Sequence, residues 1–445
     1  MRNKISKILG NLLIMVIAIV LVKINVNASN KESESQLNCN VIVGSEIQAD
    51  TLANQISVTI NNVDIEVLHQ YDSGMTLINL KGKGNLDNIL AKIESESGVE
   101  FAQPDYNLSY DYSTDSIEPQ DTYFTYQWGL NNDGQLIGDY GVKGVDINIL
   151  PAWQITEGSS QVVVGVLDSG IDINHEDLKD ATYVNTGEVP DNGIDDDNNG
   201  YIDDVNGWDF YNNDNSVYDD VYLDFHGTFI AGILAASKNE IGICGVAPNV
   251  KIMPLKFISG DKGNTSDAIR AIEYAQNKGV EIINCSWGGT EYNKALKKAM
   301  KKSKILFVCS SGNKGYDTNV TKFYPTCFNI NNIITVGAIN HRGEMESFSN
   351  YGDDVDVVAP GMNVVGTTPG NGYLFGSGTS FAAPYVTGIA ALIKSVKPDS
   401  TYKDIKKAIV KHVVVGDELN NKVNTSGRVD ANKALEYVIH KYNLQ

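Results

Sequence analysis

The chain has 445 residues, with 55 acidic and 35 basic side chains and a formal net charge of −20 at pH 7. This length is enough for two or three domains, one of which can bury a large core. The negative charge argues against nucleic acid as a partner and is typical of a soluble or cation-binding surface. The five cysteines lack CxxC spacing and the density of a disulfide scaffold, so their pairing stays open.

The first 28 residues have the pattern of a secretory signal peptide. Lys4 and Lys7 precede an apolar run over residues 12–22, and the small residue Ala28 follows at a plausible cleavage spacing. The alternative is an uncleaved membrane anchor, but eleven apolar residues are short for a bilayer span of about 20. We therefore expect a secreted, extracellular protein with no stable membrane insertion after the signal is removed.

Residues 29–112 alternate short β-like runs with one helix-like run. Strands are predicted at 41–43, 56–60 and 75–80, and a helix at 86–93, where Leu86, Ile89, Leu90 and Ile93 have helical spacing. This pattern predicts a small α+β domain. The polar, proline-containing stretch that follows at 113–121 is typical of an exposed linker.

The remainder of the chain, residues 113–445, alternates apolar strand-like runs with helical ones. Such alternation predicts a doubly wound, mostly parallel α/β sheet covered by helices. Active sites and ligand sites of such sheets lie in the crevice beyond the carboxyl ends of the strands. Asp168 directly follows the apolar run at 162–167, and Ser286 and Ser310 follow the runs at 280–285 and 305–309.

A serine in the sequence GSGTSFAAP, residues 376–384, is the strongest candidate for a nucleophile. The small residues run into an apolar helix, and a helix beginning near Ser380 would direct free N–H groups at an oxyanion. A serine hydroxyl needs a histidine base and a carboxylate to orient that base. Without these partners, the sequence is only a flexible turn.

His226 and Asp168 are candidates for the two missing partners. His226 begins the run HGTFIAGILAA, which predicts a buried helix, and Asp168 lies in VLDSGID at a strand end. Taken singly, each has a structural interpretation as a cap or turn residue. With Ser380 they form the chain order Asp, His, Ser, which is that of subtilisin, the documented example of this arrangement.

The chain resembles the subtilisin-like serine peptidases in the blocks around Asp168, His226 and Ser380 and over about residues 127–431. A fourth block, SSGN, resembles the segment of that family that supplies the oxyanion donor and assigns this role to Asn313. The resemblance implies a serine endopeptidase that acts on proteins or peptides through an acyl-enzyme. We expect a monomer, but the sequence leaves the oligomeric state open. One departure is Phe229, where the family usually has a second histidine; we expect that position to serve helix packing.

The resemblance also implies how a substrate binds. An extended peptide is expected to pair with Ser286, Trp287 and Gly288 on one side and with Ser310, Ser311 and Gly312 on the other, as in strand addition. Phe323 is expected near the floor of the first side-chain pocket, where its bulk would shorten the pocket, or in the core. General degradation and dedicated processing of one precursor both stay open.

Structural calcium is predicted at an acidic loop over residues 191–204. Its core resembles the start of an EF-hand, with oxygen ligands from Asp195, Asp197, Asn199, the Tyr201 carbonyl and Asp203. Asn206 stands where the closing glutamate would be, so the loop is not a complete EF-hand. The alternative is a solvated Asx-rich turn.

A second calcium site is implied by resemblance alone. Its ligands would be Asp177 and Asn239, the carbonyls of Ser237, Ile241 and Ile243, and a group near Asp121. The alternative is two unrelated surface loops.

The resemblance further makes residues 29–112 a propeptide that assists folding and blocks the cleft until it is cut away. The cut is expected between residues 106 and 120, which makes the precursor a zymogen and the propeptide a partner of the catalytic domain. Two rival classes stay open: a catalytically silent relative that binds peptides, and a calcium-dependent adhesion protein.

Overall fold

We analysed a computed structural model, which describes residues 35–105, 107–108 and 123–444. These residues fall into two compact units that divide between Pro104 and Asp105. The predicted signal peptide and the whole predicted linker lie outside the described residues, and the expected boundary at residue 112 stays a prediction. No helix of the described residues is long and apolar enough to cross a bilayer.

The N-terminal unit is a four-stranded antiparallel sheet with two helices. Its core contains Val41, Leu52, Ile78 and Ile93, none of which is exposed. The strand order is β2–β3–β1–β4. The elements are β1 (Ser35–Ser45), α1 (Ala49–Thr59), β2 (Val63–Tyr71), β3 (Met75–Gly84), α2 (Leu86–Glu94) and β4 (Val99–Pro104). The predicted α+β architecture is confirmed.

The strand predicted at residues 56–60 is wrong, because most of this segment belongs to helix α1. Its β-branched run favours a strand locally. The helix forms instead because Ala49, Leu52 and Ile56 lie at helical spacing and are all buried on one face.

The second unit contains a nine-stranded sheet in the order β19–β20–β16–β15–β14–β13–β8–β10–β9. Every pairing is parallel except that of β19 with β20. The strands of this sheet are β8 (Val163–Asp168), β9 (Trp208–Asp209), β10 (Lys251–Lys256), β13 (Ile282–Cys285), β14 (Leu306–Ser310), β15 (Ile333–Ile339), β16 (Val357–Pro360), β19 (Val414–Val415) and β20 (Gly427–Arg428). The predicted doubly wound α/β fold is confirmed.

Helices and short hairpins surround this sheet. The helices are α3 (Ile149–Ile155), α4 (Phe225–Ala235), α5 (Thr265–Asn277), α6 (Lys294–Lys302), α7 (Thr379–Val396), α8 (Tyr402–Lys411) and α9 (Ala431–Tyr442). The other strands are β5 (Asn107–Leu108), β6 (Leu136–Ile137), β7 (Asp139–Tyr140), β11 (Ile258–Ser259), β12 (Lys262–Asn264), β17 (Val364–Thr368) and β18 (Gly372–Gly376).

Helix α7 is the most deeply placed helix of the unit. Every residue from Thr379 to Lys394 is buried, as is every residue of α4 after Phe225. Helices that are apolar on all sides are stable only inside a core. The two predicted catalytic helices are therefore held by packing on all their faces.

Candidate active site

Asp168 and His226 form a buried pair at the carboxyl end of the sheet. Asp168 is the last residue of β8, and His226 is the second residue of α4. His226 Nδ1 lies 2.7 Å from Asp168 Oδ1, and neither side chain is exposed. A carboxylate that accepts from Nδ1 leaves Nε2 as the ring nitrogen able to take a proton.

Two glycines allow these residues to approach. Gly170 has φ +122°, and a Cβ there would lie 2.8 Å from Asp224 Oδ1. A Cβ on Gly227 would lie 2.2 Å from the Gly170 carbonyl oxygen. Because any side chain would separate the strand end from the helix start, the glycines after Asp168 and His226 are required by packing.

Ser380 is the second residue of α7, within its first turn. Its Oγ donates to the Ser286 carbonyl at 2.9 Å, and Ser286 Oγ donates back to the Ser380 carbonyl at 2.7 Å. The first N–H groups of a helix have no partner inside it. Ser380 therefore combines a hydroxyl with the positive end of a helix dipole.

The next residue, Phe381, connects the start of α7 to the Asp168–His226 pair. The ring centroids of His226 and Phe381 are 5.7 Å apart, and those of Phe229 and Phe381 are 4.2 Å apart. Phe229 is fully buried. The residue that departs from the family pattern thus packs the helix of the histidine against the helix of the serine.

Asn313 is oriented by the residue before Ser380. Its Oδ1 accepts from the backbone N–H of Thr379 and from the Thr379 hydroxyl, both at 2.8 Å. The same hydroxyl accepts from the Gly312 N–H at 3.1 Å. Because the amide oxygen is held on this side, the amide nitrogen is directed away from Thr379, as a side-chain donor to an oxyanion requires.

The predicted peptide-binding segments differ in how their backbone is used. Ser311 N–H donates to Val336, and the Ser311 carbonyl accepts from Asn350 Nδ2 at 2.7 Å. The Gly312 carbonyl accepts from the Asn350 N–H. Because these backbone groups are hydrogen-bonded within the protein, the Ser311–Gly312 segment borders the cleft without offering them to a peptide strand. On the other side, Trp287 is anchored by its indole N–H to the Leu167 carbonyl at 2.8 Å.

A pairing edge that the sequence analysis missed lies at β12. Strand β5 pairs antiparallel with it, with Leu108 opposite Gly263 and Asn107 opposite Asn264. β12 and β11 form a hairpin that directly follows β10. The signal available in the sequence was the pair of glycines, Gly260 and Gly263, that punctuates the end of an apolar run.

Phe323 fills the space between the two predicted peptide-binding segments. A Cβ on Gly288 would lie 2.5 Å from Phe323 Cε1, and one on Gly312 would lie 3.1 Å from Phe323 Cδ1. Phe323 is 5% exposed. Its ring therefore occupies the space between the strand ends beside Asn313.

At the acidic loop, three carboxylates of the described residues converge: Glu188, which precedes the loop, and Asp197 and Asp204 within it, whose oxygens lie within 4.8 Å of one another. Of the predicted ligands, only Asp197 belongs to this group. Lys278 Nζ lies 2.7 Å from Asp197 Oδ2 and 3.0 Å from Asp204 Oδ2.

The other predicted ligands of this loop bond locally. Asp195 accepts from the N–H groups of Asn199 and Gly200, and Asp203 accepts from those of Asn192 and Gly193. Asn199 Oδ1 accepts from the Tyr201 N–H. Sequence spacing could not identify Glu188, because it lies outside the repeated DxDxN pattern.

The described residues of the second predicted calcium site lie together, whereas Asp121 lies outside the described residues. Asp177 Oδ2 accepts from the Ile243 N–H at 3.0 Å and from the Tyr373 hydroxyl at 2.8 Å. Asn239 lies close enough to Asp177 to lower the pKa of its carboxyl, and the Asn239 Oδ1 accepts from the Ile241 N–H at 2.9 Å. Burial raises the pKa of the Asp177 carboxyl, against the effect of these hydrogen bonds.

The two cysteines at neighbouring strand ends, Cys285 and Cys309, lie opposite each other in β13 and β14. Both are free thiols and fully buried, and burial raises the pKa of Cys285. They pack as small apolar side chains beneath the site.

Comparison with known proteins identifies relatives for this arrangement. The model of the subtilase family matches residues 159–432. A thermophilic serine proteinase of Bacillus sp. (strain AK1) is 34% identical over 350 residues, which are 77% of this chain and 75% of that protein. Subtilisin-like protease 1 of Plasmodium berghei is 31% identical over 432 residues, which are 90% of this chain and 67% of that protein.

A similar fold occurs in the crystal structure of fervidolysin from Fervidobacterium pennivorans, described as a keratinolytic enzyme related to subtilisin. The TM-score is 0.70 at 24% identity, and the match covers 91% of this chain and 62% of that one.

Proposed function

The chain belongs to the subtilase family and is a serine endopeptidase, and we propose that Asp168, His226 and Ser380 form its catalytic triad. We further propose that the enzyme is secreted, stabilised by calcium and made as a self-processing zymogen. The observation that carries the triad is the buried 2.7 Å contact of His226 with Asp168, packed through Phe381 against the first turn of α7, which contains Ser380.

In this mechanism Ser380 Oγ attacks the scissile carbonyl while His226 Nε2 takes its proton. His226 then returns the proton to the leaving amine, and water hydrolyses the acyl-enzyme by the same relay. Asp168 holds the imidazole in the required tautomer and stabilises its charged form. Before attack the hydroxyl must turn from the Ser286 carbonyl, to which it donates at 2.9 Å, toward His226.

The oxyanion of the tetrahedral intermediate is bound by the Asn313 amide and the Ser380 backbone N–H. Thr379 supports this assignment, because it fixes the amide oxygen of Asn313 with two hydrogen bonds. A donor that is already oriented costs no reorganisation when the charge develops.

Substrate recognition follows the pairing edge at β12 and the Trp287 segment. An extended chain segment already pairs with β12 in the form of β5, which supports binding of peptides by strand addition. Residues 107–108 also lie within the expected range of the cut. We therefore infer that the segment that contains the cut pairs with this edge and that the first substrate is the chain itself.

Phe323 gives this site a preference for small residues just before the scissile bond. Its ring takes the volume between Gly288 and Gly312 that a bulky side chain would need. Glycine, alanine and serine are small enough to avoid a clash with the ring. The proposed substrates therefore carry one of these residues directly before the scissile bond.

Calcium fits both acidic clusters by its chemistry, since carboxylate and carbonyl oxygens are its ligands. Glu188, Asp197 and Asp204 would hold one ion, provided that Lys278 moves from between the last two. Asp177 and Asn239, with the carbonyls of the adjoining loop, would hold a second. The predicted signal peptide supports secretion into the extracellular medium, in which calcium is abundant.

The proposal is tested with the full-length precursor and its Ser380→Ala variant. The wild type should be processed at its N-terminal unit and label with a fluorophosphonate, whereas Ser380→Ala should stay intact and unlabelled. Ser395→Ala, on the same helix with its hydroxyl bonded to the Ala391 carbonyl, is the matched control and should behave as wild type. Processing of purified Ser380→Ala would contradict self-cleavage, and labelling of that variant would contradict the nucleophile.

A further inference from the structure

Lys256 ends strand β10 and is fully buried among three carboxylates. Its Nζ lies 3.0 Å from Asp224 Oδ1 and 3.4 Å from Asp209 Oδ2, and it also donates to Asp219 Oδ2. A buried ion pair is weak evidence for stability, because apolar side chains of similar size often stabilise equally well. The functional importance of this cluster therefore depends on which catalytic groups its members hold in place.

Asp224 joins the cluster to the helix of the catalytic histidine. It immediately precedes α4, two residues before His226. Its Oδ2 accepts from the N–H groups of Asp219 and Asp220, at 2.5 and 3.0 Å. Its carbonyl accepts from the Thr228 hydroxyl at 2.9 Å. Asp224 thus ties the incoming loop to the first turn of the helix, and Lys256 balances its charge.

The backbone of the same lysine lies beside the other member of the pair. Lys256 is opposite Asp168 in the pairing of β10 with β8. The next N–H, that of Phe257, donates to the Asp168 carbonyl at 3.0 Å. One strand end therefore contacts Asp168 through its backbone and the N-cap of the His226 helix through its side chain.

Asp219 extends the cluster to a loop beside the pairing edge. The loop exposes Val221, Tyr222 and Leu223, with exposed fractions of 43, 83 and 39%. Leu223 Cδ2 lies 3.2 Å from where a Cβ would stand on Gly260, in the β11–β12 hairpin. Movement at Lys256 would therefore disturb both the histidine and the loop that faces the hairpin.

We propose that Lys256 is a positioning residue of the triad: held by Asp209, Asp219 and Asp224, its charge fixes the first turn of α4 and balances the negative charge around His226. This inference rests on the proposed function. Other titratable groups near this turn include the carboxylates of Asp168, Asp172 and Asp220 and the hydroxyl of Tyr218. Lys256 is the basic group that pairs with Asp224 directly before this turn.

The test compares Lys256→Met and Asp219→Asn in the processed enzyme. A catalytic group misplaced by about 1 Å costs on the order of 10²-fold, so Lys256→Met should lower kcat by about ten- to a hundredfold. Removing the cation favours imidazolium, so the acid limb of the kcat/KM profile should move to higher pH. Asp219→Asn removes a negative charge and should move that limb to lower pH.

Lys394→Met is the matched control. Lys394 is also a buried lysine, bonded to the Ser400 carbonyl at 2.9 Å, and lies on α7 fourteen residues after Ser380, about 21 Å along the helix. This variant should change the melting temperature but not the acid limb, as expected for a purely structural lysine.

Wild-type kcat and an unmoved acid limb in folded Lys256→Met would overturn the proposal. If that variant does not fold, Asp219→Asn decides, because an unmoved or upward-shifted limb there contradicts the charge balance. Failure of the proposed function would be recognised separately. In that case Ser380→Ala would still hydrolyse peptides, whereas failure of the Lys256 proposal alone would leave Ser380→Ala inactive.

Discussion

Replacing Phe323 by alanine tests the pocket assignment most directly, because two roles predict different results. If Phe323 only packs the core, the substitution creates a cavity and costs about 3–5 kcal/mol of stability. If its ring also fills the pocket before the scissile bond, the same substitution opens that pocket to bulky substrate side chains.

The expected size follows from the contacts of the ring. It lies where a Cβ on Gly288 or Gly312 would collide with it, at 2.5 and 3.1 Å. A leucine or phenylalanine side chain that enters the vacated volume gains about 1.5–3 kcal/mol on burial. Since about 1.4 kcal/mol corresponds to tenfold, kcat/KM for such a peptide should rise about 10- to 150-fold relative to its alanine counterpart.

The assay uses matched peptides that differ only in alanine or phenylalanine before the scissile bond. Phe328→Ala is the control: Phe328 is fully buried and stacks at 5.2 Å on Tyr324, so it should lose stability without gaining the bulky substrate. A phenylalanine-to-alanine preference that is unchanged in folded Phe323→Ala would refute the pocket assignment and leave Phe323 as core.

Three further predictions concern the oxyanion donor, calcium and pH. Asn313→Leu should lower kcat by the factor known for the equivalent donor of a subtilisin, about 10²–10³, with little change in KM in steady-state assays; an unaffected kcat would exclude the role. Chelation should lower the melting temperature by about 5 °C if calcium is present at about 100 times its Kd; identical melting curves with and without chelator would contradict bound calcium. Burial raises the pKa of Asp209 to about 6, against hydrogen bonds from Asn212 and the charge of Lys256. The native state therefore holds this proton between about pH 4 and 6 while the unfolded chain has lost it, so this contribution to stability falls as pH rises through that window. Asp209→Asn should remove that fall in urea unfolding at pH 4.5 and 7, and parallel curves for variant and wild type would contradict it.

The sequence was most informative where chemistry demands particular residues in one order. Asp168, His226 and Ser380 are distant along the chain, yet each lies at a strand end or helix start that periodicity could locate. A parallel sheet brings such ends to one edge, so the contact of Asp168 with His226 follows from topology. Phe229 was likewise interpretable, because a helix position without reactive chemistry needs only to pack.

Sequence reasoning failed where tertiary contacts decide. Residues 56–60 have strand propensity, but burial of Leu52 and Ile56 makes them helical. In the acidic loop, spacing identifies carboxylates but not how the chain folds back, so Glu188 and Asp204, which approach Asp197, were not among the expected ligands. The β12 edge was missed because a three-residue strand has too few residues to show a period.

The burial of α7 from Thr379 to Lys394 has a consequence for how this enzyme is inactivated. Ser380, the proposed nucleophile, lies in the first turn of this helix, so an opening that frees its hydroxyl should also disrupt the core packed around the helix. Unfolding and loss of peptidase activity should therefore occur together. Unfolded molecules would be degraded by folded ones and would have no activity of their own.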